Sequence, residues 1–157
     1  MKKIKKRLLF ICLGNICRSP AAEGVMKAFV HHACRDDEFD IDSAGIGNWH
    51  VGQLPDPRMC KCGAARGYKF DSRCRQFTRI DFSRFDYIIV MDNENYRAIT
   101  SMARTAEERE KVVMLTTYLQ KYKGAETVPD PYYGDDKDFD KALDLIEDAC
   151  MGLMEEL

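Results

Sequence analysis

The 157-residue chain lacks any apolar run long enough to cross a membrane, which takes about 20 residues. Residues 1–7 (MKKIKKR) followed by Leu8–Leu13 imitate the start of a signal peptide. The apolar part is short, ends at Gly14-Asn15 and is followed by no small-residue cleavage site. A basic lead-in to a first strand is the expected reading, and export without a cleaved signal is left open. The chain also lacks a strong charge of either sign: the formal net charge is −2, which gives no reason to expect nucleic acid or an acidic membrane as partner. It has no internal repeat, low-complexity tract or interdomain linker. Its seven cysteines are odd in number and lack the paired spacing of a secreted framework, so reduced thiols and a cytoplasmic location are expected. Cys60-Lys61-Cys62 lacks the second Cys or His pair of a zinc site, and no metal or other cofactor is expected. The Gly-Lys-Ser/Thr ending of an ATP-binding loop is missing.

What is present fits one domain over residues 1–157, with 45% hydrophobic and 32% charged residues. Arg7–Cys12 is continuously apolar after its first residue and reads as a buried central strand. Phe39–Ser43 alternates, while Tyr87–Met91 and Val112–Leu115 give a third and a fourth strand. Between them lie helical patterns. The first begins at Ser19 as N-cap with Pro20 at the first helical position, and His31 and His32 close it. Glu23 falls one residue beyond the place a capping box would use. Arg58–Arg66 sits between Pro57 and Gly67, Asn93–Met102 follows Asp92 as N-cap, and a terminal helix follows Asp138 as N-cap. Alternation of strands and helices predicts an α/β fold: a doubly wound, four-stranded parallel sheet with helices on both faces, and a phosphate-binding loop after the first strand. Ligands in such folds sit beyond the carboxyl ends of the strands. Cys12, Ser43, Asp92 and the loop of Asp130 would all emerge there.

The chemistry concentrates in residues 8–23. A loop from a buried strand to a helix N-terminus gathers backbone N–H groups without intrahelical partners, a ready site for a tetrahedral anion. Arg18 adds a planar fork of donors that matches two phosphate oxygens. Cys12 lies at the base of that cup, where positive potential favours its thiolate as a nucleophile. Backbone N–H groups from Leu13 through Gly14, Asn15, Ile16 and Cys17 to Arg18 are expected to line the cup. Asn15 sits where a non-glycine residue with positive φ is needed, a conformation Asn tolerates.

Cys12-x5-Arg18-Ser19 resembles the low-molecular-weight protein tyrosine phosphatase family, and Asp130-Pro131-Tyr132-Tyr133 resembles that family's general-acid loop. Further matches are Asp42-Ser43-Ala44-Gly45, Trp49, Asp56-Pro57-Arg58, Arg75-Gln76 and the run from Asp86 to Asp92. The resemblance extends from Leu8 almost to Leu157. It implies the same doubly wound fold, a metal-independent hydrolysis of phosphotyrosine and small aryl phosphates through a phosphocysteine, tyrosine-phosphorylated proteins as substrates and inorganic phosphate as product. It makes Cys12 the nucleophile, Arg18 the transition-state clamp and Asp130 the general acid. Asp130 on its own reads equally as a turn residue between Pro129 and Pro131. Trp49, Tyr132 and Tyr133 would wall a slot for a flat ring. Ser19 fits two roles at once, N-cap or donor to the Cys12 sulfur. In the family, residues matching Asn15, Ser19 and Ser43 share a hydrogen-bonded network with a histidine. Here that position is Ser72, so a shorter or water-bridged network is expected. The family uses a second loop cysteine, here Cys17, to trap the oxidised nucleophile as a disulfide; a small packing residue is the alternative.

Three other activities share parts of this pattern. A protein arginine phosphatase of the same family carries threonine where this chain has Ile16. A thiol-coupled arsenate reductase needs a relay cysteine after the third strand, where this chain reads Val90-Met91-Asp92. A non-catalytic phosphopeptide-binding module would be signalled by loss of Cys12, Arg18 or Asp130, and all three are present.

Overall fold

Four strands pair side by side in parallel; the continuously apolar runs that end at Cys12 and Val90 take the centre of the sheet, while the alternating Phe39–Ser43 stretch lies at an edge. The computed structural model describes residues 4–157, so the first three residues of the basic lead-in lie outside it. The strands are β1 (Lys6–Cys12), β2 (Phe39–Gly45), β3 (Tyr87–Val90) and β4 (Val112–Met114), in the order β2-β1-β3-β4. β1 is central, with Phe10 opposite both Ser43 and Ile89. Its side chains alternate between two cores. Leu8 and Phe10 join Met26, Phe139, Leu143 and Ile146 on one face. Leu9 and Ile11 join Phe77, Phe82, Ile88 and Ile99 on the other. Each such fully buried side chain stabilises the fold by about 1.5–3 kcal/mol.

Among the described residues six α-helices cover the sheet: α1 (Arg18–His32), α2 (Pro57–Ala65), α3 (Asp81–Arg84), α4 (Asn93–Met102), α5 (Ala106–Glu110) and α6 (Asp136–Glu156). The short α3 and α5 carry no strong periodic signal in the sequence. Asp92 caps α4 as expected, accepting from the Asn95 N–H at 2.8 Å. Two expected caps differ. α1 begins at Arg18 with Cys17 in the cap position and no side-chain cap, so Ser19 and Pro20 are already inside the first turn. The Ser19 hydroxyl is drawn instead to buried partners described below. α6 is capped by Asp135, whose carboxylate accepts from the Lys137 and Asp138 N–H groups while Asp138 returns a bond to Asp135. The apolar stripe that begins at Phe139 marks only the buried part of that helix; its first turn is exposed.

The chain leaves β1 toward β2 on one side and returns to β3 on the other. That reversal opens a crevice beyond the carboxyl ends of β1 and β3. Among the described residues no helix is long and apolar enough to cross a membrane.

Candidate active site

The loop after β1 is fixed by its carbonyls, which leaves its N–H groups to one side. Cys12 O and Leu13 O accept from Ile46 and Gly47, Ile16 O accepts from Asp56 at 2.7 Å, and Cys17 O accepts from Ala21. Asn15 O accepts from the Cys74 thiol at 2.7 Å. The N–H groups of residues 14–17 donate to no backbone carbonyl among the described residues. Asn15 has φ 57°, the left-handed conformation that Asn tolerates. Gly45 is required beneath it, since a Cβ there would stand 3.0 Å from the Asn15 nitrogen. Loop N–H groups left without backbone acceptors before a helix N-terminus suit an anion.

Arg18 closes the cup from the side, 1% exposed. Its Nη1 donates to Asp92 Oδ2 at 2.7 Å and to Val128 O at 2.8 Å. Its Nη2 lies 3.6 Å from Asp130 Oδ2. Its Nε is buried and has no hydrogen-bond partner among the described residues. A buried orphan donor is costly, and this one belongs to the edge of the guanidinium that could hold two oxygens of a tetrahedral anion. Burial works against the charged form of Arg18, but the Cys12 sulfur, the Asp92 hydrogen bond and Asp130 outweigh it and raise its pKa. Asp92 therefore both caps α4 and orients Arg18.

Cys12 sits at the base, 3% exposed, its Sγ 3.0 Å from Ser19 Oγ. Ser19 Oγ in turn accepts from Asn15 Nδ2 at 2.8 Å, and the same amide donates to Ser43 Oγ at 3.0 Å. The expected Asn15–Ser19–Ser43 grouping is thus joined by direct hydrogen bonds. Ser72 is half-buried and takes no part in it. The Arg75 N–H fixes the Asn15 carboxamide through Oδ1 at 3.0 Å. Cys17 lines the same cavity; burial, then the nearby Cys12, pushes its thiol well above the usual range. Cys74 is pushed up to about 11 by the same two causes, burial first.

A cavity of about 380 Å³ opens above the cup, lined by Cys12, Leu13, Gly14, Ile16, Cys17, Arg18, Trp49, His50, Asp130, Tyr132 and Tyr133. Trp49 lies over Gly47, where a Cβ would stand 2.0 Å from its ring. Tyr132 and Tyr133 meet edge-on with centroids 4.9 Å apart. The Arg58 guanidinium lies over Tyr132 and Phe139, held by Asp56. Asp130 stands on the rim, its side chain 38% exposed, with Oδ1 accepting from the Tyr132 N–H at 3.1 Å. Val128 N–H donates to Met91 O, which ties the Asp130 loop to the end of β3. Cys60, Cys62 and Cys34 stand outside this cavity, and all seven cysteines are free thiols.

Sequence reasoning missed His50, whose ring lines the cavity and pairs with Gln53; its only signal was its place beside Trp49. It also missed Cys74 as a support of Asn15, since nothing in the spacing brings these residues together.

Residues 7–157 match the low molecular weight phosphotyrosine protein phosphatase family. A low molecular weight protein-tyrosine-phosphatase of Streptomyces coelicolor is 41% identical over 149 residues, covering 94% of this chain and 91% of that one. The low molecular weight phosphotyrosine protein phosphatase of Sus scrofa is 36% identical over 157 residues, covering 99% and 98%. A crystal structure of a protein tyrosine phosphatase from Entamoeba histolytica, with Hepes in its active site, superposes with a TM-score of 0.93 at 42% identity, covering 97% of this chain and 96% of that one. Sequence and architecture agree over nearly the whole length, and the chain belongs to the low molecular weight phosphotyrosine protein phosphatase family: it is a cysteine-dependent protein tyrosine phosphatase.

Proposed function

We propose that Cys12, Arg18 and Asp130 carry the reaction, with residues 13–17 as the phosphate cradle. The observation that carries this reading is the buried, unpartnered Nε of Arg18 beside a cup whose N–H groups have no backbone acceptor, with the Cys12 sulfur at its base. A phosphoryl dianion in the cup would take those donors. Cys12 Sγ then attacks phosphorus, the S–P bond forms, and the bond from phosphorus to the tyrosine oxygen breaks. Asp130 gives its proton to the departing phenolate. In the second step water attacks phosphorus, its proton passes to the Asp130 carboxylate, and the S–P bond breaks to release phosphate and the thiolate. Arg18 and the cradle meet the charge on the equatorial oxygens, the main requirement in phosphoryl transfer. Ser19 donates to the sulfur when it carries charge.

Trp49, Tyr132 and Tyr133 form the slot for the phenyl ring, and Ser43 supports the loop through Asn15. Depth selects the substrate: Cys12 is nearly inaccessible, and an aryl phosphate reaches further from its backbone than phosphoserine. The enzyme acts on phosphoproteins and releases phosphate; tyrosine-phosphorylated proteins are the class proposed, without nucleic acid, membrane, metal or other cofactor. The whole chain serves as one catalytic domain, and the free thiols suit a reducing cytoplasm.

The test is Cys12→Ser. It should abolish turnover of phosphotyrosine while still binding inorganic phosphate, because Arg18 and the cradle remain. Sustained hydrolysis by this variant would remove the covalent route. Turnover of phosphotyrosine, phosphoarginine and arsenate with thioredoxin, compared in the presence of a chelator, should favour the first.

A further inference from the structure

Glu23 lies in the second turn of α1, 5% exposed, where an apolar residue would ordinarily pack. A buried carboxylate is costly unless its charge and lone pairs are met. Here Oε2 receives the Lys27 ammonium at 2.6 Å and Oε1 receives the Ser43 hydroxyl at 2.6 Å. Lys27 itself is half exposed. The chain of contacts continues from Ser43 through the Asn15 amide to Ser19 and ends on the Cys12 sulfur, each link between 2.8 and 3.0 Å.

Every donor in this chain has a fixed direction. A carboxylate only accepts, so Ser43 must give it its proton. The Ser43 oxygen is then an acceptor for one Asn15 N–H, and the second Asn15 N–H occupies Ser19. The Asn15 amide cannot turn over, because the Arg75 N–H holds its oxygen. Ser19 is left with its own proton, and the nearest acceptor is the Cys12 sulfur at 3.0 Å, with Ala44 O more distant at 3.5 Å. We propose that Glu23, charge-balanced by Lys27, is a positioning residue: it holds Ser43 as donor, and so holds Asn15 and Ser19 in the arrangement that presents a hydroxyl proton to the Cys12 thiolate. This rests on Cys12 being the nucleophile. The other charged or ionisable groups around that sulfur are Arg18, Cys17 and Cys74, with Asp92 and Asp130 acting through Arg18.

The alternative is that Glu23 merely ties α1 to β2. Glu23→Gln separates the two. Lys27 would select the carbonyl oxygen of the new amide and turn its NH2 toward Ser43. The Ser43 proton would then lose its acceptor and face the donor groups of Asn15. Alkylation of Cys12 by iodoacetamide, followed by mass mapping of the Cys12 peptide across pH, reads the thiolate directly and needs no turnover. Cys12→Ser, scored on phosphotyrosine, decides the nucleophile separately.

At pH 6, Glu23→Gln is expected to slow Cys12 alkylation about tenfold, and the rate curve should move to higher pH. Adding Lys27→Met frees the amide to offer its oxygen to Ser43. The double variant should recover to within about threefold of wild type. Ser43→Ala should slow alkylation about as much as Glu23→Gln, and combining the two should add little. If Glu23→Gln is recovered unfolded, Ser43→Ala carries the same reading one link nearer the sulfur. Wild-type alkylation in Glu23→Gln or, in its place, Ser43→Ala overturns the proposal. So does a loss that Lys27→Met does not relieve, or losses that add in full.

Discussion

Asp130→Asn is the perturbation that best isolates proton donation from loop shape. Asp130 Oδ1 accepts from the Tyr132 N–H at 3.1 Å, a bond an asparagine oxygen can keep. The loop is also held at Val128, by Met91 and by Arg18, so the substitution should leave its path unchanged. What is lost is the transferable proton and a negative charge 3.6 Å from Arg18 Nη2. Removing that charge makes the cup more positive, so KM for phosphotyrosine should hold or fall. General acids contribute about 10²–10⁴-fold. Tyrosine leaves as a phenol with a reference pKa of about 10 and needs the proton; a nitrophenol is far more acidic and needs it less. Single-turnover measurement should therefore show about a thousandfold loss in the first step for phosphotyrosine and a much smaller loss for nitrophenyl phosphate. One limb of the pH profile should vanish with it. Asp130→Ala additionally loses the Tyr132 contact, worth about 0.5–1.5 kcal/mol. Equal small losses for both substrates, with a raised KM and an intact pH profile, would make Asp130 a turn residue and refute the reasoning.

Mild peroxide should inactivate the enzyme reversibly through a Cys12–Cys17 disulfide, detected by peptide mapping. Cys17→Ser should instead pass to irreversible sulfinic acid, and equal thiol recovery of both proteins would leave Cys17 as packing. Stability should fall as pH rises past the ordinary thiol and phenol range of about 8.5–10. Burial raises the pKa of Cys17 and Cys150, and burial with the Glu147 hydrogen bond raises that of Tyr68. The unfolded chain therefore ionises first, and stability present below the unfolded pKa is lost above it. Denaturant midpoints at pH 7 and 10.5 should show this, with a shallower fall in Tyr68→Phe; an identical fall would exclude Tyr68 as a contributor.

The central strand, the cup and its Arg18 clamp were legible because they lie within one short stretch, where spacing along the chain nearly determines spacing in space. Asp92 was legible as a cap but not as the partner of Arg18, which lies far off in sequence. The sequence leaves Ser19 open as a cap or as a donor to the Cys12 sulfur, and the fold keeps the second: α1 begins at Arg18 without a side-chain cap, and the hydroxyl lies 3.0 Å from Cys12 Sγ. The apolar stripe that begins at Phe139 points to Asp138 as the N-cap of α6, whereas the helix has an exposed first turn held by the Asp135–Asp138 reciprocal bonds. Glu23, Cys74 and Arg75 were hidden for a common reason. Each acts on Asn15 or Ser43 across chain segments that only the fold brings together.

The covalent step is the central claim, and it can be trapped. Asp130→Asn retains the nucleophile but lacks the base that activates water, so turnover of nitrophenyl phosphate should stall at the second step. Acid quenching within the first turnover, followed by peptide mapping, should place a phosphoryl group on the peptide that contains Cys12, in an amount matching the nitrophenol burst. Release of nitrophenol with no phosphoryl group on Cys12 at any quench time, or with that group on another residue, would contradict the account.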